Sequence, residues 1–294
     1  MSISTGKILV PIGFSPQSMI ALGQACNLAQ IKKAEIVLLS VIEEQSMMQS
    51  LFMDNTTHDL QKKVNAQLLK VAQEYAQKYN INIDAMVAKG KVYNQINEVS
   101  EMIDADLIVM GTDGQAQGGL KKFIGSNAER VVRLSRTPVI TIKGKEHRKG
   151  CENIILPLDT EKQTKEKVTY AIEYARYWNA TVRLISVALK KDQEVKQKLM
   201  QNINQVQKFI IDAGVNCTSE LMEADKKINL GDSVLDYANQ FDADLIIIMT
   251  KKEELTLSEN ISVTARYIIN KSIIPVLSIR PVEPNYITGP TTAF

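Results

Sequence analysis

Lys7-Ile8-Leu9-Val10-Pro11 and Asn153-Ile154-Ile155-Leu156-Pro157 are one short phrase written twice, 146 positions apart. Each is an apolar run that ends in proline, the pattern of a strand buried on both faces. Working outward, Leu38-Leu39-Ser40-Val41 recurs as Leu184-Ile185-Ser186-Val187 at the same spacing. Asp104-Ala105-Asp106-Leu107-Ile108 returns 138 positions on as Asp242-Ala243-Asp244-Leu245-Ile246. Thr137-Pro138-Val139-Ile140 returns 137 positions on as Ile274-Pro275-Val276-Leu277. Four blocks in the same order, with two small changes of length, mark an internal duplication.

Helical stretches lie between these runs. Ser18 to Gln30, Asp59 to Tyr79, Ile96 to Ile103 and Asn127 to Leu134 repeat apolar residues every three or four positions. A fifth strand, expected at the centre of the sheet, spans Ile83 to Val87. The second half repeats the scheme, with strands at 154–157, 181–188, 217–222, 244–249 and 275–280. Its helices fall near 163–178, 192–213, 231–240 and 260–270. Alternating strands and helices predict an α/β fold: two repeated doubly wound domains, each an open five-stranded parallel sheet with helices on both faces. The domains are placed at 1–144 and 151–281, joined by the charged, glycine-punctuated stretch 143–152, with 282–294 as a tail.

Composition narrows the function. Thirty-five Lys and Arg against 33 Asp and Glu give a formal charge of +2, and aromatic residues make up only 5%. Neither a basic surface nor a stacking platform for nucleic acid is indicated. No apolar run has the length of a membrane span and no signal peptide opens the chain, so a cytoplasmic location is expected. Cys26, Cys151 and Cys217 show no metal-binding or redox spacing. His58 and His147 have no neighbouring ligand partners, and both read as surface residues.

The informative stretch follows the fourth strand. Gly111-Thr112-Asp113-Gly114 leads through Gly118, Gly119, Lys121 and Lys122 to Gly125-Ser126-Asn127, which opens a helix. Five glycines in fifteen residues let successive N–H groups line a cradle for anions, and the helix start favours a phosphate. A plainer reading of the same residues stands beside it: Ser126 and Glu129 have the spacing of a capping box, which needs no ligand.

With this loop and the two strand ends in view, the sequence resembles the universal stress protein family in its tandem two-domain form. ATP-binding members of that family carry G-x2-G-x9-G-[ST] after the fourth strand. Gly111, Gly114, Gly125 and Ser126 match it, with ten residues rather than nine between the last two glycines. The resemblance implies that ATP or a related adenine nucleotide binds, Mg²⁺ being an optional companion. Asp113 lies inside the glycine loop where it could approach such an ion, and the solubility of a loop explains it as well. Gly111, Thr112, Gly114, Gly125, Ser126 and Asn127 would meet phosphate and ribose, while Pro11, Ile12, Gly13 and Val41 would border the base. Gly13 departs from the family, which usually has aspartate there. The second half keeps Asp159 at the matching place but sets Met249, Lys252, Ser262 and Val263 against Gly111, Gly114, Gly125 and Ser126. Its loop, residues 251–260, has no glycine and contains two adjacent glutamates, so it is expected not to hold a nucleotide in the same way.

No catalytic constellation emerges, and the chain is read as a regulatory binding protein, not an enzyme, although slow ATP turnover stays compatible with it. A scaffold acting through protein–protein contacts is the alternative. In the family the last strands pair between domains, which implies an internal pseudo-dimer here, with a further homodimer left open. Met47, Met48, Leu51, Phe52 and Met53 are expected to form a lid or an inter-domain contact.

Overall fold

The computed structural model describes residues 6–43, 54–112, 126–144, 150–159, 165–224, 229–250 and 261–281. In the first half β1 (Lys7–Pro11), α1 (Pro16–Lys32), β2 (Glu35–Ile42), α2 (Asp54–Tyr79) and β3 (Ile83–Lys89) follow one another. They continue with α3 (Val92–Met102), β4 (Leu107–Gly111), α4 (Ser126–Leu134) and β5 (Val139–Ile142). The second half runs β6 (Asn153–Pro157), α5 (Lys165–Trp178), β7 (Thr181–Leu189), α6 (Gln193–Asp212) and β8 (Cys217–Ala224). It closes with α7 (Leu230–Gln240), β9 (Leu245–Met249), α8 (Val263–Lys271) and β10 (Val276–Ile279).

Helix α1 starts two residues before the expected Ser18 because Pro16 fits its first turn, where a missing N–H is harmless. Ser15 caps that turn, its side chain accepting from the Ser18 N–H at 3.2 Å. Lys33 ends the helix in the left-handed conformation at φ 55°, and Asn179 does the same after α5 at φ 53°. These two turns are again 146 residues apart, which fixes the register between α1 and α5.

The ten strands among the described residues form one sheet in the order β3-β2-β1-β4-β5-β10-β9-β6-β7-β8. Every pairing is parallel except that of β5 with β10. Strand β3 is therefore an edge strand, not the central one expected from the sequence. Its half-buried profile fits the edge, with Asp84 exposed and its remaining residues intermediate or exposed. The centre of the first half is β1, whose alternate residues feed both faces. Ile8 and Val10 join a core with α1, α2, α5 and α6, while Leu9 joins a second core with α3, α4, α7 and α8. Each layer runs through both halves without a break.

The two halves meet at an antiparallel seam, where Ile140 faces Leu277 with Thr141 against Val276 and Val139 against Ser278. Pro138 and Pro275 lie just outside the paired residues, so neither removes a seam hydrogen bond. Around it, duplicated positions reach across to each other. Lys143 Nζ donates to the Asn270 carbonyl, and Arg280 donates to the Leu134 carbonyl at 3.2 Å. Each places a cation at the carboxyl end of the other half's last helix, where the helix dipole favours it. Glu129 and Arg266, also duplicates of one another, pair at 3.0 Å.

Burial pushes the Cys26 thiol up to about 12 against the smaller opposing effect of Lys78, and burial alone does the same for Cys217. Both ionise near 9 when exposed, so between about pH 9 and 12 only the unfolded chain gives up these protons. Their contribution to stability is complete below that window and is lost as the pH rises through it. Buried Tyr174, raised well above 10 chiefly by desolvation, adds to the same trend. The urea midpoint is expected to be lower near pH 10.5 than near pH 8; equal midpoints would contradict this account.

Candidate functional site

In an open parallel sheet, ligands sit beyond the carboxyl ends of the strands, where the strand order reverses. In the first half that point lies between β1 and β4, because β2 and β3 extend to one side and β5 to the other. Pro11, Ile12 and Gly13 leave β1 there, and Gly111 and Thr112 end β4. The structure thus brings these five together at one place. Val41 joins them from β2. The last paired residue of β1 is Pro11, opposite Leu39, and the Ile12 N–H donates to the Leu39 carbonyl at 2.8 Å. Peptide groups two residues apart on a strand point the same way, so those of Val41 aim at the crevice just past β1.

Two of the expected contact residues have polar groups engaged within the sheet. Ile12 is only 3% exposed, its side chain lies in the core and its N–H is taken by Leu39. Thr112 is 2% exposed, with both its N–H and its hydroxyl bonded to the Ile142 carbonyl. The second half confirms the structural nature of both. Leu158 N–H bonds Ile185 in the same way, and Thr250 donates twice to Ile279. A feature kept in the half whose loop has lost its glycines serves the sheet.

Gly111 also differs from expectation. A Cβ there would stand 2.5 Å from the Gln17 carbonyl carbon and 2.8 Å from the Ser18 nitrogen. The missing side chain lets the first turn of α1 lie against the end of β4. Its twin Met249 carries a partly buried side chain packed on the core. Gly13 is the opposite case: it is exposed, and nothing comes within 4 Å of where its Cβ would be. Ser126 and Asn127 open α4 as expected. Gly114, Gly125, Asp113 and the two lysines between them lie outside the described residues, as do Met47, Met48, Leu51, Phe52, Met53 and His147. His58 falls within α2.

One residue of the second half stands out in the structure. Lys167 on α5 is 4% exposed, and its ammonium donates to the Pro157 carbonyl at 2.7 Å, at the carboxyl end of β6. Its duplicate in α1 is Ala21, fully buried. A lysine at a sheet-facing position of a duplicated helix was the signal available.

The aspartate pairs are structural. Asp104 and Asp242 sit in left-handed turns at φ 52° and 45°. Asp106 accepts from the Lys7 N–H at 2.8 Å, and Asp244 accepts from Glu152 and Asn153 at 2.7 and 3.1 Å. A cavity of about 560 Å³ bordered by Lys32, Asp106, Arg136, Tyr170 and Glu173 lies at the amino ends of β4 and β5, away from the strand-end crevice. Among the described residues no group of three His, Cys, Asp or Glu could hold a metal, and no helix is long and apolar enough to cross a membrane.

The class defined by this architecture is the doubly wound α/β fold, built twice into one sheet. The model of the universal stress protein family matches residues 5–143. A universal stress protein of Methanocaldococcus jannaschii is 31% identical over 141 residues, which are 47% of this chain and 81% of that protein. One from Synechocystis is 29% identical over 143 residues, covering 46% of this chain and 83% of that protein. Among solved structures, a universal stress protein from Archaeoglobus fulgidus superposes with a TM-score of 0.74 at 18% identity, covering 93% of this chain and 96% of that one. A Pseudomonas aeruginosa protein described as functionally unknown gives 0.66 at 17% identity, covering 95% of this chain and 93% of that one. These two likenesses establish the fold over both halves. The chain belongs to the universal stress protein family.

Proposed function

We propose that the first half binds an adenine nucleotide, ATP foremost, and that the chain is a nucleotide-responsive regulatory protein of the stress response. The observation that supports this reading is the switch point of strand order beside β1, where exposed Gly13 has nothing within 4 Å of its Cβ position. The peptide groups of Val41 face that point. Pro11, Gly13 and Val41 would border the base, with their backbone atoms as the polar partners. Gly114, Gly125, Ser126 and Asn127 would take the phosphates and ribose, with Mg²⁺ beside them. No step of chemistry on the nucleotide is assigned to any residue.

The boundaries 1–144 and 151–281 are proposed as those of a binding domain and a structural one, with a cytoplasmic location. The antiparallel pairing of β5 with β10 supports an internal pseudo-dimer. Calorimetry with ATP on the intact chain and on Gly114→Val is the test. Saturable binding that falls at least about tenfold, or 1.4 kcal/mol, in the variant is the expected result. A wild-type chain that takes up no ATP at millimolar concentration sinks the proposal and favours the protein–protein scaffold.

A further inference from the structure

The duplicated sheet gives each half a strand-end crevice, and the two crevices are furnished differently. In the first half α1 presents Ala21 to the sheet, a methyl group with no polar atom. At the matching place on α5 stands Lys167, whose stem is buried and whose ammonium reaches the carboxyl end of β6 to donate to the Pro157 carbonyl at 2.7 Å. The match is set by two features at one spacing: the strands β1 and β6 with their closing prolines, and the left-handed turns Lys33 and Asn179.

Burying an ammonium is expensive unless it is hydrogen-bonded, and a helix position facing a sheet is an unusual place for one. Other residues also set the strand ends of this half apart. Met249 supplies a side chain where Gly111 has none. The Ser262 N–H donates to the Thr250 carbonyl at 2.9 Å, drawing the two ends of the following loop together. The Asn202 side chain holds the Asp159 carbonyl at 3.2 Å.

We propose that Lys167 is a built-in occupant of the second crevice: its ammonium fills the place that a nucleoside takes in the first half, and so confines ligand binding to one site per chain. This deepens the nucleotide reading and rests on it for the identity of the ligand. The glycine-free loop of the second half accounts for the loss of phosphate contacts. Lys167 accounts for the loss of the nucleoside site itself.

The test is calorimetry on the full chain with adenosine, which needs no phosphate cradle, using wild type, Lys167→Ala and Ala21→Lys. The expected stoichiometries are about one, two and zero per chain, with each variant folded by circular dichroism. The second half shows that a lysine at this helix position is accommodated, so Ala21→Lys stays informative even where Lys167→Ala fails to fold. Unchanged stoichiometry in a folded Lys167→Ala, or undiminished binding by Ala21→Lys, overturns the proposal. A wild type that binds no adenosine while Lys167→Ala binds one equivalent upholds the internal occupant. No binding by any of the three overturns it, and the ATP titration of the intact chain decides the nucleotide reading separately.

Discussion

Replacing Gly111 by valine is expected to destabilise the chain by about 1–3 kcal/mol, the usual cost of forcing extra carbon into a packed interior. The added Cβ would come 2.5 Å from the Gln17 carbonyl carbon, far inside contact distance. The obstructing atoms are backbone, so no side-chain rotation relieves the clash. They also belong to a helix start already held by the Ser15 cap and by Pro16 in the first turn. The strain must therefore displace either α1 or the end of β4, and both border the first crevice. Urea unfolding followed through Trp178, the one tryptophan, measures the loss. Met249→Leu, a change of similar volume at the duplicate position, should cost less than about 1.5 kcal/mol. Equal effects at the two positions would show that Gly111 is not set by helix packing.

Truncating Leu277 to alanine should cost more, about 2–5 kcal/mol, as for other large-to-small changes in cores. Leu277 has no exposed surface and faces Ile140 at the middle of the seam, with strands on both sides of it. The cavity would open where the two halves meet and where the surrounding backbone is pinned by ladders, so little collapse can refill it. Ile273→Ala, a few residues away but 67% exposed, should change stability by no more than about 0.5 kcal/mol. Differential unfolding of the two variants decides the matter: a loss below about 1 kcal/mol for Leu277→Ala would mean the seam is not part of the cooperative core. The Glu129–Arg266 pair, partly exposed, contributes far less to holding this interface.

The sequence alone disclosed the repeat, the alternation of strands and helices, and most element positions to within a few residues. That follows from the physics of burial: strands covered on both faces must be apolar runs, and helices on a sheet must carry apolar stripes. Strand order was less legible, because hydrophobic period says which residues are covered but not which strands are neighbours. The edge position of β3 was nonetheless hinted at by Asp84 and Lys89 in an otherwise apolar run. At the site, the described residues that follow the strand ends differ in what they bond to. Ile12 and Thr112 follow strand ends just as Gly13 does, and only the hydrogen bonds separate those that tie the sheet together from those that face outward. Locally Gly111 reads as freedom for a loop; its close neighbour lies in a helix 94 residues earlier in the chain, a contact no local pattern announces. Lys167 was legible only by setting the two halves side by side, position against position.

Placing the antiparallel seam within a single polypeptide also changes how it responds to dilution. Two separate chains joined by the same strands would part as their concentration fell below the dissociation constant. Here each half sees the other at an effective concentration of order millimolar, fixed by a short tether and indifferent to how much protein the cell makes. The seam can therefore be assembled at copy numbers too low for subunits to find one another, and its two sides are free to drift into the unlike partners that Glu129 and Arg266 have become.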